Sequence, residues 1–340
     1  MKALISTLWR YVTALSLALP FAVFLHSLPV AAQTEMKLAS ATINDVQHEW
    51  QKRFKAGVEA RAGDRLTVSI FPASQLGTIP RMLEGVLFGT IEGFITPTAF
   101  ATGAVPKFKV FDAPGLFQDP AHLARVIHDP SYRDHIETMA LDKGLRVIGA
   151  IFNSPFVVLT KAPAPKVADL DGLKIRTFAS PLQIEPLAAL GASPVPLPLS
   201  EVVPALQSGN IDGMLAGIPI LTAFKYYDVA TNVTELHFSQ IVSVNVVNED
   251  WFQAQPEDLQ QIIREEGRKA ERAVFDFGVA NIARANDVWK ENGGTILQLQ
   301  DDDRAQMMAL FAEVGGRLLR EDEAVASEYD RLLEVVQAKR

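Results

Sequence analysis

Gly172-Leu173-Lys174-Ile175-Arg176-Thr177-Phe178-Ala179-Ser180 is the stretch on which the reading of this chain turns. Leu173 to Arg176 reads as a short strand, and a helix over roughly 181–190 follows it and stops at Gly191. Val195 to Leu199 is the next strand candidate. Ser200 suits the N-cap of a helix over 201–208, Glu201 complements its dipole, and Gly209 ends it. Ile211 to Leu215 is again strand-like. Strand, helix, strand, helix, strand is the order of an α/β fold, with a parallel or mixed sheet flanked by helices.

The same alternation extends outward in both directions. Upstream, Met36–Ala41 reads as a strand. Asn44 or Asp45 then caps a helix with Trp50, Phe54 and Val58 at helical spacing. Leu66–Phe71 alternates as a strand and stops at Pro72, Met82–Leu87 makes a helix ending at Gly89, and Ile91–Ile95 is the next strand. Residues 119–143 read as one helix, and Leu145–Ile151 and Phe156–Leu159 as two separate strands. Lys161-Ala-Pro-Ala-Pro165 is a stiff connector. Downstream, Ile241–Val247 is a β-branched strand. Residues 256–291 keep a helical rhythm to Gly293-Gly294, which predicts one helix of about 50 Å.

Composition narrows the function. The 340 residues are 48% hydrophobic and 21% charged, which fits two globular units and excludes disorder. The formal charge of −8 disfavours nucleic acid, which needs a basic face. With no cysteine, thiol chemistry and disulfides are out. Residues 1–32 read as a secretory signal. Lys2 and Arg10 lead, Tyr11–Leu25 is an apolar run too short to span a bilayer, and Pro29-Val30-Ala31-Ala32 offers a cleavage site before Gln33. Losing Lys2 and Arg10 takes the formal charge from −8 to −10. No later segment is long and apolar enough to insert in a membrane, so a soluble exported chain is expected.

Enzyme signatures are absent: there is no G-x-S-x-G, no phosphate-cradling glycine loop and no H-E-x-x-H. His122, His128 and His135 lack the spacing of a metal face and read as helix surface, so neither a metal nor another cofactor is expected. Asp301-Asp302-Asp303 reads as a solvated helix start rather than an acid–base group. Arg176 stands out because it ends a strand, where α/β sheets gather their ligands. A guanidinium there can hold a carboxylate through two parallel hydrogen bonds. From position alone, a surface arginine paired with Asp169 or Asp171 is equally open.

Several phrases, taken in order, resemble the solute-binding component of tripartite ATP-independent periplasmic (TRAP) transporters, of DctP type. They include Phe71-Pro-Ala-Ser-Gln-Leu-Gly77, Ala113-Pro-Gly-Leu-Phe-Gln-Asp119, Lys143-Gly-Leu-Arg-Val-Ile-Gly149 and Gly172-Leu-Lys-Ile-Arg176. Leu190-Gly-Ala-Ser-Pro-Val-Pro196, Ser200-Glu-Val-Val-Pro-Ala-Leu-Gln207, Asp212-Gly213, Asn248-Glu-Asp-Trp-Phe252 and Pro256-Glu-Asp-Leu259 continue the likeness. The resemblance covers nearly all of the chain after residue 32. It implies a two-lobed periplasmic binding fold with hinge strands and a long helix spanning both lobes. Lobe I would be 33–152 and 242–281, and lobe II 153–241 and 282–340. It implies a monomeric, non-enzymatic receptor that hands a small organic acid to the membrane subunits of an ion-driven permease. A sensor that docks on a signalling receptor could share the same cleft.

Arg176 matches the arginine that pairs with the ligand carboxylate in that family. Two departures bear on the ligand. Phe152-Asn153-Ser154-Pro155-Phe156 stands where such proteins often carry a second arginine, and Met214-Leu215-Ala216-Gly217 where a Glu-Asn pair is common. Fewer polar partners disfavour a very polar ligand, because a buried group without a partner costs about 1–3 kcal/mol. A monocarboxylate with an apolar or aromatic body is expected, packed by Phe152, Phe178, Leu215 and Phe224 beside Ala216. Thr96, Thr98 and Asn153 would supply hydrogen bonds, and a C4-type dicarboxylate is the alternative ligand.

Overall fold

The computed structural model describes residues 34–340, so the signal reading of residues 1–32 lies outside the described residues. In chain order the strands are β1 (Thr34–Ser40), β2 (Leu66–Phe71), β3 (Gly93–Pro97), β4 (Leu145–Thr160), β5 (Lys174–Thr177), β6 (Ser193–Pro196), β7 (Gly213–Ala216), β8 (Asn232–Asn248) and β9 (Thr295–Gln298). They join in the order β2-β1-β3-β8-β4-β7-β5-β6, with β9 also on β8. The β1–β2, β1–β3, β5–β6, β5–β7 and β8–β9 pairs are parallel, and the others antiparallel.

The two long strands make this a two-lobed α/β molecule. β4 and β8 have 16 and 17 residues, each about 50 Å long. Their near halves pair Leu145–Phe152 with Val242–Asn248, and there β3 joins β8 and brings β1 and β2 with it. Their far halves pair Val157–Thr160 with Asn232–Glu235. At that end β7 joins β4 and carries β5 and β6, while β9 joins β8. Between the halves the ladder slips. β4 advances from Pro155 to Val157 while β8 goes back from Gln240 to Glu235, and His237 within that bulge has φ 52°.

The bulge explains why two strands were expected where one is found. Asn153, Ser154 and Pro155 interrupt the apolar run, but proline is tolerated at a bulge, where no ladder hydrogen bond is needed from it. β8 likewise begins at Asn232, nine residues before the β-branched run at Ile241. The helix expected over 119–143 is two, Pro120–Ile127 and Pro130–Thr138. Pro130 keeps Asp129 out of helical geometry. Asp129 instead caps the second helix, its carboxylate accepting from the amides of Ser131 and Tyr132.

The helical run over 257–291 is interrupted at Val274, where ψ is −5° and Glu257–Ala273 gives way to Phe275–Glu291. Val274 is buried in the cluster that holds Trp50 and Ile151. The amide of Val274 still bonds to the Ala270 carbonyl (3.0 Å) and that of Gly278 to the Val274 carbonyl (2.8 Å), so the segments stay in series. Glu257–Ala273 packs on helix Val46–Ala62 and β4, whereas Phe275–Glu291 reaches helix Ile218–Ala223 and β9. The run therefore passes from one lobe to the other.

The C-terminal helix spans Glu323–Ala338. It packs on the turn Pro106–Asp112 and on helix Pro120–Ile127, and Glu328 accepts from the Tyr132 hydroxyl (3.2 Å). Its buried Val325, Leu332 and Val336 complete an apolar cluster with Phe108, Phe111 and Leu123. That packing also corrects the surface reading of His122, which is fully buried. Its Nδ1 accepts from the Gln118 amide (3.1 Å), so its Nε2–H donates to the Val336 carbonyl (3.0 Å).

Candidate functional site

The parallel strands β1, β3, β5 and β7 run their carboxyl ends toward the crossing of β4 and β8. A cavity opens at those ends. Ala41 and Thr42 line it just past β1, Thr96 and Pro97 on β3, Arg176 and Phe178 at β5, Ala216 and Gly217 at β7, and Asn153 on β4. This is where α/β sheets place ligands, since backbone and loops diverge there.

Most of the wall is apolar. Ile79, Ile95, Phe100, Leu199, Ile220 and Ile241 complete it, and Phe100 stacks on Phe178 with ring centroids 4.5 Å apart. Among the described residues, Arg176 is the only charged side chain in the lining. It is 1% exposed. Its Nε donates to the Leu197 carbonyl (2.9 Å) and its Nη1 to that of Leu215 (3.2 Å). The guanidinium lies over the rings of Phe178 (4.8 Å) and Phe100 (5.4 Å). Among the described residues Nη2 has no partner, which leaves the Nη1–Nη2 edge with N–H groups to offer.

The contrast with other buried arginines sets the meaning of this one. Arg133 is held by Glu271 (2.7 Å), and Arg146 by Glu137 (3.0 Å) and Glu249 (2.7 Å). Among the described residues Arg176 takes part in no ion pair, so the pairing with Asp169 or Asp171 is not formed. Burial pulls its pKa down to about 10, so it still carries its charge at neutral pH. The Tyr226 phenol lies close enough to be coupled to it electrostatically, and burial pushes that phenol up to about 12. A dry cation with a free hydrogen-bonding edge is a receptor for an anion.

Of the residues expected here, Arg176, Phe178, Asn153, Thr96 and Ala216 come together around the cavity. Phe152, Thr98, Leu215 and Phe224 do not line it. Strand neighbours point to opposite faces, so Asn153 and Ala216 facing the cavity turns Phe152 and Leu215 away. Phe152 packs toward Phe275 (6.2 Å), and Leu215 joins Val158 and Ile175 in the core behind β5. The Thr98 hydroxyl donates to the Val242 carbonyl (3.2 Å), and Phe224 follows helix Ile218–Ala223 and packs on the core. Thr96 Oγ1 and Asn153 Oδ1 are buried without partners among the described residues, and Asn153 Nδ2 donates to Ser243 Oγ (3.2 Å).

Gln47, Thr42 and Phe100 were missed. Gln47 Nε2 donates to Thr42 Oγ1 (3.1 Å) and to Asp45 (3.2 Å), which braces the first turn of helix Val46–Ala62 against the cavity. Its one sequence signal is a polar side chain next to the N-cap. Phe100 carried none, because it lies in a short turn after β3.

A family model described as bacterial extracellular solute-binding protein, family 7, matches residues 39–322. The chain belongs to that family of TRAP-type solute-binding proteins. It is 30% identical to the 2,3-diketo-L-gulonate-binding periplasmic protein YiaO of Escherichia coli over 66% of this chain and 69% of that protein. It is 27% identical to the ectoine/5-hydroxyectoine-binding periplasmic protein UehA of Ruegeria pomeroyi, over 72% of this chain and 71% of the other. A TRAP periplasmic solute-binding protein of Desulfovibrio salexigens, solved with bound orotic acid, superposes with a TM-score of 0.83. It is 25% identical, and 90% of this chain and 98% of that one are covered. Among the described residues of this solute-binding protein, no helix is long and apolar enough to cross a membrane.

Proposed function

We propose that the protein captures a small organic acid with one carboxylate and an apolar or aromatic body, and delivers it to a TRAP-type permease. The observation that carries this reading is Arg176, a buried guanidinium without a carboxylate partner, open on one edge to a mostly apolar cavity. A second carboxylate would find no second cation in the lining. Thr96 and Asn153 would serve one or two neutral polar groups of the ligand. Lobe I would comprise 33–152 with 242–281 and the C-terminal helix, and lobe II 153–241 with 282 to about 322. Export through a signal cleaved near Ala32 places the receptor in the periplasm.

A thermal-shift screen tests the ligand class. Orotate, phenylacetate and 4-methyl-2-oxopentanoate are compared with succinate and galacturonate. At a hundredfold excess over Kd a ligand adds about 2.7 kcal/mol of stability, a shift of a few degrees for a chain of this size. Monocarboxylates should raise the melting temperature. If only the dicarboxylate or the uronate does so, the apolar-body reading is wrong.

A further inference from the structure

The segment that follows β3 arches over residues 98–117 and belongs with the first lobe, since Phe108, Val110 and Phe111 pack with Leu123 and Tyr132. It meets the second lobe where the ligand arginine is mounted. Thr102 Oγ1 donates to the Ala179 carbonyl (3.4 Å), and the Gly115 amide to the Phe238 carbonyl (2.8 Å). Between these two contacts lies Asp112, 2% exposed, at the end of the turn Pro106–Asp112. Its carboxyl faces the fully buried Ser180, the residue that precedes helix Pro181–Ala189 and ends the Phe178–Ser180 connection after β5. Asp112 Oδ2 and Ser180 Oγ are both buried, and among the described residues neither has an aligned hydrogen-bond partner.

We propose that Asp112, in its protonated form, is a positioning residue for ligand capture: it bridges the lobes to Ser180 and holds the turn bearing Phe178 beside Arg176. This rests on reading the cavity as the ligand site. A charged carboxylate in this dry contact has no cation to meet, whereas a protonated one gives the Ser180 oxygen a donor. Burial pushes the Asp112 carboxyl up to about 7, with the Ser180 hydroxyl pulling the other way. The charged groups on the surrounding elements are engaged elsewhere. Glu185 binds Arg317, Glu328 binds His135, Asp330 binds Arg320, and on β8 Glu235 binds His237. On the arch itself Lys107 reaches Asp142, and neither it nor Lys109 contributes to the shift at Asp112. Nor do Glu323, Arg331 and Glu334, the other charged groups of the C-terminal helix.

The sign follows from linkage. Parting the lobes would expose the Asp112 carboxyl to water and lower its pKa from about 7 toward the ordinary carboxylate range, so closing would take up a proton between those two values. Closure should therefore weaken as pH rises from about 4 to about 7 and level off above. The chain has no cysteine, so Glu84→Cys and Ser208→Cys, at exposed positions on opposite lobes, take a spin-label pair cleanly. Electron–electron distance measurements without added ligand then read the short- and long-distance populations. In the wild type their ratio should fall by roughly tenfold or more from pH 5 to pH 8. Asp112→Asn, a permanent neutral donor, should hold the short distance at both values, and Asp112→Ala should lose it at both. A pH response shared by wild type and Asp112→Asn, or a wild-type ratio that does not move, overturns the proposal. Because no ligand is present, failure here is separate from failure of the Arg176 reading.

Discussion

At the scale of single residues, the site is one cation in an apolar wall. Arg176 costs the ligand-free fold something, because a buried charge without a counterion keeps part of its desolvation penalty even with two carbonyls on it. Replacing it should separate stability from function. Arg176→Met should raise the melting temperature of the ligand-free protein, by up to a few kcal/mol in stability, while abolishing carboxylate binding. Arg176→Ala should also abolish binding but leave a void beneath Phe178, so it should not stabilise as much. Calorimetric titration and thermal melts of both variants with orotate or another acid from the screen check this. Unchanged affinity in either would remove Arg176 from the site. This residue was legible because an arginine ending a strand has few structural roles. Gln47 was not, because a polar residue in a helix's first turn has many.

At the scale of elements, close approach matters more than propensity. Helix Glu257–Ala273 lies on β4 through Gly267, where an added Cβ would stand 2.1 Å from the Ile148 carbonyl oxygen. Backbone cannot yield as a flexible side chain can. Gly267→Ala should therefore cost about 1–3 kcal/mol despite alanine's higher helix propensity, read as a lowered denaturant midpoint. A neutral or stabilising result would mean that the helix can lift off the strand. The helical rhythm of 256–291 was plain in the sequence, but the change of geometry at Val274 was not. Periodicity reports which face is buried, and Val274 keeps that phase while its backbone tightens.

At the scale of the whole molecule, two lobes share one sheet. β4 and β8 run through both, so unfolding either lobe removes strand pairing and buried surface from the other. Calorimetry of the ligand-free protein should show a single unfolding transition, with calorimetric and van't Hoff enthalpies in agreement. Two resolved transitions would show the lobes to be energetically independent. The C-terminal helix adds to this coupling, since it closes on Phe108, Phe111 and Leu123 through Val325, Leu332 and Val336.

The sequence by itself determined the α/β class, the strand that carries Arg176 and the family, because periodicity, caps and turn residues are local and the phrases around Arg176 are read in order. The tertiary structure decided which neighbours of that arginine share its cavity. Asn153 and Phe152, or Ala216 and Leu215, differ by one position on a strand, and the phase of the pleat decides which of each pair faces inward. It alone joined Leu145–Thr160 into one strand across Pro155, since a bulge needs its partner strand to exist. It alone brought the Gly115 amide to the Phe238 carbonyl, 123 residues apart in the chain, because contact between distant segments has no period for a sequence to show.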